Sequence, residues 1–293
     1  MSGALTRRLR GWGLGLLGLV LLGVVWEVYK ALGPAAGVEL GGRVVLPRTS
    51  DRAMPHLWDI AGRLAGPALG RSGDPLWQVV GHACLFSLRI AAIGWLVGVV
   101  VGLALALLMQ RFRLAEAAVL PWVVLSQTVP LIAIAPLVRR WGSGVHLGSY
   151  AWDSQDSVAV IAAYLAFFPV AVGMLRGLEA PDATHLDLMR TYGSGWRTTL
   201  LRLRLPASVP YLLPALRLAA AAAVIGTVVA EVSIGLRGGV GRLVIEYAQA
   251  AGGDPAKPWA PIVGAVLVGL VAAGFVALLG VFLRPFRRGE VAA

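Results

Sequence analysis

Asp187–Pro206 reads DLMRTYGSGWRTTLLRLRLP and lies between two long apolar segments. The stretch is polar and rich in arginine, so it cannot cross a lipid bilayer. Its residues predict a short helix, a break at Gly193-Ser194-Gly195, where glycine allows a tight reversal, and a second helix that ends at Pro206. A polar helix–turn–helix beside a membrane is suited to contact a soluble partner, and we expect a binding surface here.

The flanking chain has the composition of a membrane protein. Of the 293 residues, 58% are hydrophobic and 14% are charged, and the mean hydropathy is +0.76, whereas soluble domains are about one-quarter charged. The single cysteine, Cys84, excludes an internal disulfide, and its apolar surroundings predict a buried, inert thiol.

The apolar segments predict an all-α integral membrane protein. About 20 apolar residues span a bilayer, and we expect about six membrane helices. The third span contains Pro121, Pro130 and Pro136, which predict a bent helix near a cavity. The expected spans are Gly11–Leu32, His82–Met109, Ala117–Val138, Ser157–Leu175, Pro210–Ala230 and Trp259–Leu283.

The same segments divide the chain into four parts. Residues 1–32 form an N-terminal membrane helix, and residues 33–81 form an outer segment rich in proline. In the outer segment, His56–Leu69 predicts an amphipathic helix, which either lies along the membrane surface or packs without membrane contact. Residues 82–283 form a core of five spans with a cytoplasmic loop at 179–209, and residues 284–293 form a cytoplasmic tail. A short helix is expected at Gly241–Ala251.

The charges predict the orientation of the chain. The segments expected in the cytoplasm hold 13 basic and five acidic residues, the outer segments hold 11 basic and 10 acidic residues, and Arg89 and Arg217 lie within spans. Basic residues near membrane ends keep their loops in the cytoplasm, so both termini are expected there. The net charge of +11 is therefore explained by the basic residues that set the orientation of the chain in the membrane, and it does not indicate nucleic-acid binding.

The spacing around Gly193 resembles the cytoplasmic loop of ABC importer permeases, whose pattern is Glu-Ala-Ala-x3-Gly-x9-Ile-x-Leu-Pro. Here Asp187-Leu188-Met189, Gly193, Leu203 and Leu205-Pro206 stand at those places. The longer run LMRTYGSGWRTTLLRLRLPASVPYLLPALRLA is similar to permeases of the nitrate/sulfonate/taurine branch. The run SQTVPLIAIAPLV, from Ser126, also resembles permeases for small heterocycles such as pyrimidine-type vitamin precursors.

The resemblance implies a type I ABC importer permease in a bacterial inner membrane. Its expected partners are a cytoplasmic ABC ATPase dimer, a second permease copy, an extracytoplasmic binding protein and membrane lipid. ATP and Mg would bind to the ATPase, so this chain is expected to be no enzyme and to carry no cofactor of its own. The expected ATPase-coupling residues are Asp187, Arg190, Gly193, Trp196, Arg197, Leu203, Leu205 and Pro206.

Two other classes of function are weighed against this one. A membrane-embedded enzyme is disfavoured because the four histidines are scattered, no zinc or P-loop motif occurs, and Ser87 and Ser126 have no base nearby in sequence. A secondary carrier or channel, independent of an ATPase, is the main alternative. Carriers usually keep a carboxylate deep in the membrane, and we expect none here, with Glu27 and Glu231 at the outer edges.

The polar residues Ser126, Gln127 and Thr128, followed by Pro130, interrupt an apolar span. They predict either the lining of a solute path or hydrogen bonds to a neighbouring helix. Glu231 is assigned to the path as well. Four arginines are left with two possible roles each. Arg139 and Arg140 are expected either to attract an anion or to pair with Asp153 and Asp156. Arg89 and Arg217 are expected either to be structural or to line the path.

Overall fold

The computed structural model describes residues 2–40, 43–68 and 73–282, and most of these residues are helical. The elements are, in chain order, α1 (Ser2–Leu32), β1 (Val38–Leu40), β2 (Arg43–Leu46), α2 (Leu57–Ala65), α3 (Leu76–Arg111), α4 (Arg113–Ser126), α5 (Leu131–Gly142), β3 (His146–Leu147), β4 (Tyr150–Ala151), α6 (Ser154–Glu179), α7 (Ala183–Thr191), α8 (Trp196–Thr199), a π-helical segment (Leu200–Arg204), α9 (Leu205–Ile234), α10 (Val240–Gln249) and α11 (Trp259–Phe282).

Five stretches of the described chain are long and apolar enough to cross a membrane: Gly13–Leu32, Leu76–Arg111, Ser154–Glu179, Trp196–Ile234 and Trp259–Val281. A sixth span results if α4 and α5, which meet at 105°, count as one. This confirms the predicted all-α membrane fold with about six spans. The predicted tail at 284–293, with Arg284, Arg287 and Arg288, lies outside the described residues.

The chain divides into two compact units. One comprises residues up to 79 together with Val244–Ala260, and the other comprises Val80–Leu243 and the chain from Pro261 onward. The short strands form two separate antiparallel hairpins, β1–β2 and β3–β4.

In the first unit, the segment before α2 is fastened to the C-terminal end of α1. The buried Lys30 donates from Nζ to Asp51 Oδ1 and to the Met54 carbonyl oxygen, both at 2.6 Å. Glu27 accepts from the backbone N–H of Leu57 at 2.8 Å, and its other carboxylate oxygen lies 2.7 Å from His56 Nδ1. The predicted helix at 56–69 is thus α2, which is anchored to α1 at its start. The surface on which it lies, lipid or water, stays a prediction.

In the second unit, small residues bring α3, α6 and α9 together. On α3, Gly94, Gly98 and Gly102 follow one another at four-residue spacing and face α6. A Cβ on Gly94 would lie 2.4 Å from that of Ala162, and one on Gly98 would lie 2.7 Å from that of Ala166. Such small-xxx-small patterns allow close helix packing in membranes. The sequence analysis missed this stripe, although its spacing was visible.

The start of α6 corrects one prediction. Asp153 accepts from the backbone N–H groups of Gln155 and Asp156, and Asp156 accepts from the N–H of Asp153. This capping box satisfies N–H groups that the first turn leaves free. The two aspartates are therefore helix caps and do not pair with Arg139 or Arg140.

Candidate functional site

Tyr192–Gly195, which we call the corner, joins α7 to α8 and reverses the chain. Gly193 has φ +66°, the left-handed conformation that glycine adopts most easily. Its N–H donates to the Arg190 carbonyl and the N–H of Ser194 donates to the Met189 carbonyl, so the end of α7 is closed by a glycine motif. Gly195 differs from the prediction because its φ of −70° is open to any residue.

The surface before the corner is open. No residue of α7 is buried, Tyr192 is 77% exposed and Leu188 is 51% exposed. Arg190 Nη1 lies 2.9 Å from Asp187 Oδ1 in an exposed ion pair, and Arg197 is exposed as well. An apolar and aromatic patch surrounded by charges is the composition of a protein interface.

Trp196 has a different place from the one predicted. We expected it to face a partner, but its side chain is partly buried, and Nε1 donates to Gln110 Oε1 at 3.2 Å. The guanidinium of Arg111 lies 5.1 Å from the centre of its ring system, within cation–π range. Trp196 therefore fastens the corner to the end of α3, while Tyr192 is the exposed aromatic residue.

The chain after the corner is held by α6. Leu200 is buried against Met109, Met174 and Leu178. Arg204 Nη1 donates to the Leu178 carbonyl oxygen at 2.7 Å, near the last turn of α6. Positive charge is favourable at this end of a helix. The corner is thus connected to α3 and to α6.

Pro206 does not end a helix, contrary to the prediction. The helical stretch continues from Trp196 to Ile234, 39 residues, or about 58 Å. Proline has no N–H to donate, and its ring clashes with the carbonyl of the preceding turn. The π-helical segment Leu200–Arg204 widens that turn, with the N–H of Leu205 donating to the Leu200 carbonyl. Leu203 and Leu205, both half-buried, lie in this continuous rod.

The polar residues Ser126, Gln127 and Thr128 lie where α4 ends, and Pro130 precedes α5. The predicted bent span is thus a broken one. The Ser126 hydroxyl donates to the Val123 carbonyl and the Thr128 hydroxyl to the Leu125 carbonyl, so neither reaches a neighbouring helix.

One bond does join the break to another helix: the Tyr164 hydroxyl, on α6, donates to the Ser126 carbonyl oxygen. Gln127 is half-buried and Thr128 is exposed, so the break presents hydroxyl, amide and carbonyl groups to its surroundings. Broken helices with unwound backbone are frequent solute sites in transporters.

Glu231 is not part of that group. It is fully buried, and its carboxylate accepts from Ser87 Oγ at 2.6 Å and from the N–H of Gly241 at 2.8 Å. Ser87 Oγ in turn accepts from the N–H of Val240 at 2.9 Å. A Cβ on Gly239 would lie 2.2 Å from the Glu231 carboxyl carbon. Glu231 therefore joins α3, α9 and the start of α10, and it faces no open space in this conformation.

Arg139 also has a partner that the sequence did not predict. Its Nη1 donates to the Ile234 carbonyl oxygen at 2.9 Å, at the end of α9. Arg140 is exposed, and Arg89 and Arg217 are exposed on α3 and α9. A cavity of about 310 Å³ lies at the ends of α5 and α9, lined by Pro136, Arg139, Arg140, Ser143, Ser233 and Ile234.

Within the described residues, no cluster of three or more His, Cys, Asp or Glu side chains could hold a metal ion.

Comparison with known proteins gives the class. A family model described as "Binding-protein-dependent transport system inner membrane component" matches residues 98–287. The chain belongs to this family, and it is a permease of an ABC importer. This confirms the resemblance drawn from the corner sequence, and it makes the chain a multi-pass transport protein of the inner membrane rather than an enzyme.

Individual relatives are named for different transported solutes. The formylaminopyrimidine transport permease protein ThiX of Halalkalibacterium halodurans is 33% identical over 208 residues, which cover 70% of this chain and 77% of that protein. The putative aliphatic sulfonates transport permease protein SsuC of Bacillus subtilis is 28% identical over 273 residues, which cover 93% and 87%.

A solved structure, described as "Crystal structure of an amino acid ABC transporter with histidines", is similar in fold. It has a TM-score of 0.54 at 18% identity and covers 71% of this chain and 94% of that one. At this identity the likeness supports the fold alone.

Proposed function

We propose that this chain moves a small polar solute inward and that a separate ABC ATPase drives it by binding α7 and the corner. The observation that carries the proposal is the contrast at the corner. Tyr192 and Leu188 are exposed on one side, while Trp196 and Arg204 fasten the other side to α3 and α6. A surface that is open to a partner and rigidly connected to spanning helices can transmit movement.

The route of that movement is the continuous helical stretch from Trp196 to Ile234. A displacement of the corner acts on the start of this rod, and the far end of the rod carries Glu231, which holds α10. Helix shifts of this kind are a common form of switching between two states. Asp187, Arg190 and Arg197 would supply charge-assisted contacts to the ATPase.

The complete transporter would contain two copies of this permease, two ATPase subunits that bind ATP and Mg, and an extracytoplasmic binding protein. Both termini would lie in the cytoplasm, as the distribution of basic residues predicts. The binding protein would contact the side of the molecule that holds α2 and α10. Lipid would surround the exposed apolar faces of the spans.

The solute is proposed to be a small heterocycle, with sulfonate-type anions as the second class. The broken span offers neutral hydrogen-bonding groups at Ser126, Gln127 and Thr128. Such groups suit an aminopyrimidine-like ring. In the cavity at the ends of α5 and α9, Arg139 already donates to the Ile234 carbonyl oxygen. This arginine is therefore less suited to bind an anionic solute. The relative named for formylaminopyrimidine supports the same choice.

Reconstitution tests the proposed function. Proteoliposomes would contain this permease with its ATPase and binding protein, and uptake of radiolabelled solute would be measured with ATP or with a non-hydrolysable analogue. We expect uptake with ATP and none with the non-hydrolysable analogue. Uptake that persists in vesicles holding the permease without its ATPase would establish the carrier alternative instead.

Competition between solutes tests the cargo. Unlabelled aminopyrimidine and unlabelled alkanesulfonate would be added at equal concentration, and the ligand held by the isolated binding protein would be determined by mass spectrometry. We expect the heterocycle to compete and to be found on the binding protein. Competition by the sulfonate would support the second class.

A further inference from the structure

Helix α2 keeps an exposed apolar face although its other sides are fastened within its unit. Ile60 is buried, and Arg63 Nε donates to Asp254 Oδ2. The remaining side is exposed, and its residues are apolar or lack a side chain: Leu57, Trp58, Ala61, Gly62 and Ala65. Residues at these spacings share one face of a helix. A contiguous apolar face of this kind marks a surface that lipid or another protein covers.

The membrane boundary near α2 follows from the ends of two spanning helices. The uncharged run of α1 ends at Trp26, because Glu27 follows it, and the uncharged run of α11 begins at Trp259, shortly after Lys257. The rings of Trp26 and Trp259 are in edge-to-face contact, with their centroids 5.0 Å apart. Charged side chains are costly in hydrocarbon, and tryptophan is enriched at the membrane–water interface. These two rings therefore mark one boundary of the membrane.

The start of α2 is fixed at this boundary. Trp26 Nε1 donates to the Pro55 carbonyl oxygen at 3.2 Å, and Glu27 accepts from the N–H of Leu57. The Leu57 side chain then extends towards the membrane centre, since its Cδ1 lies 3.3 Å from the position that a Cβ would take on Gly23. Gly23 is one helical turn deeper in the span than Glu27. Leu57 is therefore on the hydrocarbon side of α2.

A groove of about 530 Å³ lies between α1 and α2. Leu57 and Trp58 form its wall on α2, and exposed residues of α1, including Leu19, Val20 and Val24, form the other wall. Leu19 lies about 10 Å deeper in the span than the boundary rings. A soluble protein would have to enter the hydrocarbon to reach this groove, whereas lipid chains are already present at that depth.

The polar end of the groove agrees with such an occupant. Glu27 lines the groove at its boundary end. Its carboxylate accepts from the N–H of Leu57 at 2.8 Å and lies 2.7 Å from His56 Nδ1. The carboxylate is thus satisfied within the protein, and an acyl chain beside it leaves no charge without a partner.

We propose that α2 is an interfacial helix and that the groove between α1 and α2 holds an acyl chain of the lipid leaflet on this side. Leu57 and Trp58 lie against the chain, while Asp59 and Arg63, four positions apart, face the polar side. This lipid contact requires the spans to lie in a bilayer, as proposed above, but it does not require the ATPase to bind the corner. ATP-driven uptake would be unaffected by its absence.

Spin-label accessibility tests the position of α2. The full-length permease, assembled with its ATPase, would be reconstituted in vesicles of phosphatidylethanolamine and phosphatidylglycerol. A nitroxide would be attached at Ala61→Cys or, as the matched control, at Asp59→Cys, with Cys84→Ser in both. Both positions are exposed, but Asp59 is outside the apolar face. We expect collisions with oxygen, which concentrates in lipid, to exceed those with a water-soluble nickel complex several-fold at 61, and the reverse at 59.

Two results of this measurement would overturn the proposal. More frequent collisions with the nickel complex than with oxygen at both positions would show that α2 lies in water. Few collisions with either reagent at 61 would show that a second permease copy covers the face, because the binding protein is absent from these vesicles.

A photoreactive lipid tests the groove itself. Phosphatidylethanolamine with a diazirine in its acyl chain would be added to the same vesicles, and its adducts on α2 would be quantified by mass spectrometry. Val20→Trp fills the groove from α1 and is expected to lower the adduct yield several-fold. Leu21→Trp is the matched control, because Leu21 is exposed on the same turn and does not line the groove. Equal yields in the two variants would show that no acyl chain occupies the groove.

Discussion

At the scale of single residues, two neighbouring glycines have different importance. Gly193 adopts a left-handed conformation, whereas Gly195 has an ordinary extended one. Neither has an atom within 4 Å of the position that a Cβ would take. Backbone conformation therefore decides what substitution does at each, because space is equally open. The sequence predicted a turn here but could not show which glycine required its freedom.

Alanine at these two positions separates conformation from packing. Gly193→Ala forces a Cβ into the left-handed region, which costs roughly 1–2 kcal/mol. We therefore expect a several-fold fall in the rate of ATP hydrolysis, measured in the assembled transporter in the presence of solute-loaded binding protein. Gly195→Ala is the control and should behave as the wild type. Equal loss in both variants would contradict the account of the corner.

The ion pair at the C-terminal end of α1 predicts a pH dependence. The hydrogen bond from Lys30, together with its charge, lowers the pKa of Asp51 below the usual value of 3.8. As the pH falls, Asp51 is therefore protonated at a higher pH in the unfolded chain than in the folded one. The contribution of Asp51 to stability is present above about pH 4 and is lost as the pH falls through the folded-state pKa.

Asp51→Asn is expected to lower the thermal stability slightly at neutral pH, and the difference from the wild type should shrink at about pH 3.5. The effect is small because the Asp51 side chain is 84% exposed. A difference in thermal stability between wild type and Asp51→Asn that grows as the pH falls would contradict a lowered pKa of Asp51.

At the scale of elements, α3 and α6 approach through the glycine stripe, and this predicts a large effect from a small change. Gly98→Val places side-chain atoms against Ala166, so we expect destabilisation of about 1–3 kcal/mol from overpacking. Gly81→Val, on the same helix, has nothing within 4 Å of its Cβ position and serves as the control. Detergent thermal denaturation measures both, and equal unfolding temperatures would argue against close packing at the stripe.

The element most misjudged from the sequence is the helix around Pro206. Proline normally indicates a boundary, but here the π-helical turn at Leu200–Arg204 absorbs its effect. Local propensity could not reveal this because the contacts of Leu200 and Arg204 with α6 hold the turn in place. The result is one rod from the corner to Glu231.

At the scale of the whole molecule, hydropathy and charge predicted the spans, since the bilayer fixes their length and composition. The spacing around Gly193 predicted the family. Partners that are distant in sequence could not be predicted. Glu231 and Ser87 are separated by 144 positions, and Trp196 and Gln110 by 86, so periodicity contains no sign of either pair. The contact of Trp196 with α3 was missed for this reason.

The central claim is that a separate ATPase rests on α7 and the corner, and site-specific photocross-linking tests it most directly. A photoreactive amino acid would replace Tyr192 in the assembled transporter, and a second variant would carry it at Trp196, which faces Gln110 within the permease. The account predicts that the residue at 192 cross-links to the ATPase and that the residue at 196 cross-links within the chain. Cross-links from 192 that reach lipid or the extracytoplasmic binding protein, and never the ATPase, would contradict it.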